Sequence, residues 1–161
     1  MAKREQLSFS HAIEIAAAPE AVWRALTDGE FTRQYWAGRR VESRWKVGSP
    51  VIFWYQTDGG EAISDRGIVV ECAKPRRLSY TWHVEFVDEM RDAHPSRVTF
   101  DLAAKDDATT LTLTHDGFEP GSKVLEAVRQ GWPAILESLK SLLETGTALE
   151  AAAPDSSDAA A

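Results

Sequence analysis

The chain is poor in cysteine, in net positive charge and in long apolar runs. Cys72 is the single cysteine among 161 residues, which excludes an internal disulfide and a thiolate zinc cluster. Acidic residues outnumber basic ones by 25 to 18, for a formal net charge of -7. A nucleic-acid partner, whose phosphates call for lysine and arginine, is therefore not expected. No apolar run approaches the roughly 20 residues that cross a bilayer, so no membrane span is expected. Met1-Ala2-Lys3-Arg4-Glu5-Gln6 turns polar where a signal peptide would need its apolar core, and the expectation is a cytoplasmic protein. Phosphate-binding GxxxxGKS/T, GxGxxG, the GxSxG nucleophile elbow and HExxH are all missing. The four histidines, His11, His83, His94 and His115, do not pair at ligand spacing, so neither metal nor cofactor is expected.

What is present is an alternation of strand patterns closed by one helical stripe. Leu7, Phe9, His11, Ile13 and Ile15 fall on one face and Ser8, Ser10, Ala12 and Glu14 on the other, a half-buried strand. Pro19 suits the first turn of a helix that carries Val22, Trp23 and Leu26 and ends at Asp28-Gly29. A second short helix is expected over Thr32 to Trp36. Strands follow around Val41 to Trp45, from Val51 to Gln56 and from Ile63 to Cys72, with a hairpin at Asp58-Gly59-Gly60 and a bulge expected at Gly67. Leu78, Tyr80, Trp82, Val84 and Phe86 alternate with polar neighbours, then Val98 to Leu102 and Leu111 to His115 complete an antiparallel meander.

From Ser122 the period becomes helical. Val124, Val128, Trp132, Ile135, Leu139 and Leu142 make the stripe, and Leu125, Leu136 and Leu143 widen it. Pro133 cannot bond to the Arg129 carbonyl, so a kink is expected near Gly131-Trp132, either a static bend that fits the helix to a curved sheet or a hinge that lets Ser122 to Arg129 move as a lid together with Thr32 to Trp36. Residues 1–149 are expected to form one domain and residues 150–161, rich in alanine, serine and aspartate, a disordered tail. A sheet with one wet face must bury the other. The predicted class is α+β: a seven-stranded antiparallel sheet curved around the C-terminal helix, with two short helices after the first strand.

Several segments carry a family resemblance. Ala18 to Thr27 followed by Phe31 and Trp36 resembles the opening of the helix-grip superfamily, which includes START domains, polyketide cyclases and the birch-pollen allergen. Pro75 to Trp82, the His115-Asp116-Gly117-Phe118 corner and Gly131-Trp132 are similar to the branch named after the activator of Hsp90 ATPase, C-terminal domain. The resemblance implies a cavity between sheet and helix. It supplies no universal catalytic residue.

The six tryptophans are many for this length. The expected cavity lining is His11, Tyr35, Trp36, Phe53, Tyr55, Tyr80, Trp82, Phe100, His115, Val128, Trp132 and Leu136, apolar walls with a few polar groups. For any one of these the plain alternative is core filling. The predicted function is binding of a small apolar or amphipathic molecule, lipid-like or polyketide-like. Two alternatives stand beside it: a polyketide cyclase or dehydratase using His11, His115 or Tyr80, and a domain that contacts an Hsp90-type chaperone or its clients. Oligomeric state stays open, a homodimer included. Glu61, Asp65, Asp88, Glu89 and Asp92 are expected on solvated surface, as are Arg39, Arg40, Arg44 and Lys46. Cys72, at the end of an apolar strand, is expected to be inert and buried.

Overall fold

The computed structural model describes residues 7–149. The tail from residue 150 onward lies outside the described residues. Strand β1 (Phe9–Ile15) leads into helices α1 (Pro19–Thr27) and α2 (Gly29–Tyr35), followed by β2 (Arg40–Ser43), β3 (Pro50–Thr57), β4 (Gly60–Ala73) and β5 (Arg77–Val84). A short helix α3 (Asp88–Arg91), strands β6 (Ser96–Lys105) and β7 (Ala108–Asp116), and the long helix α4 (Lys123–Thr145) complete the fold. All pairings are antiparallel, and the seven-stranded sheet runs β1-β7-β6-β5-β4-β3-β2.

Pro19 occupies the first turn of α1, where its missing N–H costs nothing. Asp28 does more than end that helix. Its carboxylate accepts from the Glu30 N–H at 2.9 Å and caps α2, which therefore starts at Gly29 rather than at Thr32. Thr32 then accepts from the Val41 N–H at 3.0 Å and ties α2 to β2. Strand β2 stops at Ser43; Trp45 has a positive φ of 57° and donates its indole N–H to the Thr27 carbonyl at 2.9 Å. Helix α4 begins at Ser122, whose hydroxyl accepts from the Leu125 N–H, and ends on left-handed Gly146. It runs as one helix from Lys123 through Pro133 to Thr145.

Strand β4 bends the sheet. Its register shifts against β3 between the partners of Phe53 and Trp54, which leaves Ser64 as the extra residue, and against β5 between Val69 and Glu71, which leaves Val70. Gly67, expected to be the bulge, instead permits a close crossing, since a Cβ there would lie 1.7 Å from the Thr81 carbonyl oxygen. Only glycine admits that approach of β5. The outer face is not uniformly polar, since Ile68 and Val70 are 46% and 38% exposed. Inside, Trp132, Leu136, Leu139 and Leu142 of α4 meet Leu78, Tyr80, Phe100, Leu111 and Leu113 of the sheet in one core. Among the described residues no helix is long and apolar enough to cross a membrane.

Candidate functional site

The first half of α4 stands off the sheet, and the gap is a cleft of about 170 Å³. Its back wall is three indoles. Trp36 meets Trp132 edge-on at 5.1 Å and stacks on Trp82 at 6.1 Å, with Trp82 and Trp132 5.9 Å apart. Val84, Phe86, Val87 and Met90 form one flank, and Val124, Ala127, Val128, Gly131 and Ile135 of α4 the other. Val128 and Ile135 are half-buried because they face this gap instead of the packed core. Gly131 leaves room, since a Cβ there would meet nothing within 4 Å.

One corner of this apolar cleft is charged. Arg39 and Asp65 both line it and are only 8% and 2% exposed. Consecutive left-handed residues, Ala37 (φ 50°) and Gly38 (φ 78°), reverse the chain after α2 and bring Arg39 inward. The bulge at Ser64 has the parallel effect on β4: Ser64 and Asp65, neighbours in sequence, are both buried. Asp65 Oδ2 accepts from the Ser64 hydroxyl at 2.7 Å and lies 3.6 Å from Arg39 Nε, which donates to Ser64 Oγ at 3.2 Å. The Arg39 guanidinium also stands 4.8 Å over the Phe86 ring. Burial pushes the Asp65 carboxyl up to about 6 although Arg39 and Ser64 pull the other way.

Of the residues expected in the lining, Trp36, Trp82, Val128 and Trp132 border the cleft. Tyr35, Phe53, Tyr80, Phe100 and Leu136 are instead wholly inside the core, because ring packing between sheet and α4 leaves them no free face. Tyr35 donates its hydroxyl to the Ala25 carbonyl at 2.8 Å, whereas the buried Tyr80 hydroxyl has no partner among the described residues. Tyr55 packs edge-on against Phe86 at 5.8 Å without bordering the cleft.

The two histidines are diagonal neighbours on the inner face, His11 opposite Leu113 and His115 opposite Phe9, but neither borders the cleft. His11 is half-buried and stacked 6.2 Å from Phe9. His115 is sealed, and both ring nitrogens are engaged. The Trp132 indole donates to Nδ1 at 3.0 Å, so the ring proton sits on Nε2 and goes to Ser96 Oγ at 2.7 Å. The Ser96 hydroxyl turns its own proton to the Trp82 carbonyl at 3.4 Å. This is the reverse of a serine activated by histidine. Burial pushes the His115 imidazole down to about 3, so it is neutral over the ordinary pH range.

Among the other residues read as surface, Arg40 grips Glu61 through two bonds of 2.9 and 3.2 Å, in partly open positions. Asp88 pairs with Arg91, and Lys123 with Glu89. Cys72 is half-buried rather than buried, and desolvation pushes its thiol up, away from the reactive thiolate. A wider depression of about 780 Å³ lies near the β4–β5 turn, where Arg77 is already paired with Glu71 and Asp101. No group of three or more potential metal ligands occurs among the described residues.

A long helix gripped by a curved antiparallel sheet, with a cleft under its first half, defines a helix-grip protein. Within that class, the family described as Activator of Hsp90 ATPase homolog 1-like protein matches residues 16–144, and the chain belongs to it. Protein MLL2253 from Mesorhizobium loti is 27% identical, with a TM-score of 0.67 over 84% of this chain and 97% of that one. An HSP90 activator from Plasmodium falciparum is 25% identical, with a TM-score of 0.68 over 85% and 96%. The Aha1 dimer from Colwellia psychrerythraea, at 21% identity and a TM-score of 0.67 over 86% and 97%, is similar in fold. Among curated proteins none matches the chain.

Proposed function

We propose that the chain binds one small apolar or amphipathic molecule in the cleft under the first half of α4. The observation that carries this reading is the contrast within the cleft: tryptophan and aliphatic walls interrupted by a single buried charged corner. Ligand sites of small molecules have this composition, with apolar walls for affinity and a few polar groups for orientation. The volume of about 170 Å³ sets the scale. A cavity of roughly 150 Å³ lined by aliphatic and aromatic side chains holds benzene. The ligand, or the part of it that enters, is thus one ring or a short acyl chain rather than a whole lipid or polyketide.

The enzyme alternative has less support. The groups it relies on, His11, His115 and Tyr80, are outside the lining, and His115 gives its proton to Ser96 instead of accepting one. Thermal unfolding in the presence of 2-phenylethanol tests the binding reading. A ligand of the native state alone contributes RT ln(1 + [L]/Kd), about 2.7 kcal/mol at a hundredfold excess over Kd. The expected result is a saturable rise in Tm with one-site dependence on concentration. An unchanged or falling Tm for 2-phenylethanol, indole and toluene alike contradicts it.

A further inference from the structure

We propose that the cleft selects a small monocarboxylic acid whose carboxyl group is held between Arg39 and Asp65, an inference that rests on the ligand-binding reading above. A guanidinium carries five N–H donors in a planar fork that matches a carboxylate. In Arg39 only Nε is engaged, with Ser64 and Asp65, and among the described residues Nη1 and Nη2 carry no hydrogen bond. The stack on Phe86 fixes the plane of the fork in advance, so little rotational freedom remains to be lost on binding.

Asp65 is similarly half-used. Oδ2 takes the Ser64 hydroxyl and faces Arg39, while Oδ1 has no hydrogen bond among the described residues. One buried corner thus offers spare donors beside a spare acceptor. A carboxyl group is the small functional group that uses both: one oxygen accepts from Arg39, and the other shares a proton with Asp65. A neutral alcohol uses only part of this arrangement, and an ammonium ion meets the arginine.

Charge balance requires that proton. An incoming carboxylate places two negative groups against the single positive charge of Arg39, and two carboxylates in one desolvated site do not both stay ionised. One proton taken from solvent restores neutrality and forms a short O–H···O⁻ bond between the two carboxyl groups. Burial already holds Asp65 near 6, so it accepts that proton readily. Glu85 and His83 at the end of β5 act on Asp65 with opposite sign, Tyr80 feels its charge from within the sheet, and the α4 wall across the cleft carries no titratable lining group.

Phenylacetate and 2-phenylethanol share a skeleton and differ in the group at issue, so calorimetric titration of the full chain with both is the test. At pH 6 the acid is expected to bind at least about tenfold tighter, the scale of one hydrogen bond to a charged group. Its Kd should rise about tenfold between pH 7 and pH 8, with about one proton taken up per ligand, judged from two buffers of different ionisation heat. Replacing Asp65 with asparagine (Asp65→Asn) is nearly isosteric. The asparagine amide has no carboxyl proton to share, so any acid binding by the variant should come without proton uptake, and uptake that persists in the variant overturns the role of Asp65. Equal affinity for acid and alcohol overturns the carboxyl site and leaves the apolar-ligand reading standing. Acid binding by the native chain without proton uptake overturns the role of Asp65. Failure of both compounds, and of toluene, overturns the two readings together.

Discussion

Asp65 and His115 are buried ionisable residues of opposite kind, and burial pushes both towards neutrality. The His115 imidazole is pushed down to about 3 from an ordinary 6.5. Its contribution to stability is therefore complete above 6.5 and is lost as pH falls towards 3. The Asp65 carboxyl is pushed up to about 6 from 3.8, so its contribution is complete below 3.8 and is lost as pH rises through 6. Between pH 6 and pH 4 the two oppose each other. Glu61 and Glu144, held low by hydrogen bonds from Arg40 and Lys140, lose stabilisation on acidification in any variant that retains them. Asp65→Asn removes only the compensating group. Urea unfolding at half-unit pH steps should show its stability falling more steeply from pH 6 to 4 than that of the native chain. Parallel curves would mean that Asp65 is not held protonated in the folded state.

At the scale of elements, β4 explains both what sequence reading finds and what it misses. The alternation of β1 and β7 reappears in their burial, and Leu78, Tyr80 and Trp82 of β5 are all buried as their spacing predicts, although Ser79 between them is buried as well, paired with Thr99. The Ser64 bulge breaks that parity without leaving a mark in residue type. Asp65 consequently reads as a hairpin carboxylate although it is buried. Arg39 is hidden for a related reason, since two left-handed residues in the preceding turn decide its direction and only one of them is glycine. The indoles of Trp36, Trp82 and Trp132 are legible as inward groups, but whether an inward ring fills the core or borders a gap depends on how far α4 stands off the sheet. Gly67 gives the sharpest test of the β4–β5 approach. Gly67→Ala should destabilise by about 3 kcal/mol or more, because its Cβ meets backbone that cannot move aside. Gly59→Ala, in the open β3–β4 hairpin, should stay within about 0.5 kcal/mol. Equal costs by chemical denaturation would contradict the close approach.

For the whole molecule, the relevant fact is where the sheet and helix fail to meet. From Leu136 to Leu142, α4 is buried against the sheet, and sheet curvature and apolar pattern agree. From Val124 to Ile135 the same helix covers a gap, walled by indoles and closed at one corner by Arg39 and Asp65. The fold is legible in the sequence because it follows from apolar periodicity. The gap is not, because it is a difference between two surfaces contributed by distant parts of the chain. Gly131 sits at that difference, with open space where a side chain would be. Gly131→Leu therefore puts four carbons into the cleft and, by removing a glycine from a helix interior, strengthens α4 by about 0.5–1 kcal/mol. The decisive measurement is the tryptophan fluorescence titration of the native chain and Gly131→Leu with 2-phenylethanol, alongside their unfolding curves. A binding cleft under α4 predicts a one-site titration for the native chain, and for the variant equal or greater stability with no titration. A variant that folds as stably and titrates with the same Kd would contradict it.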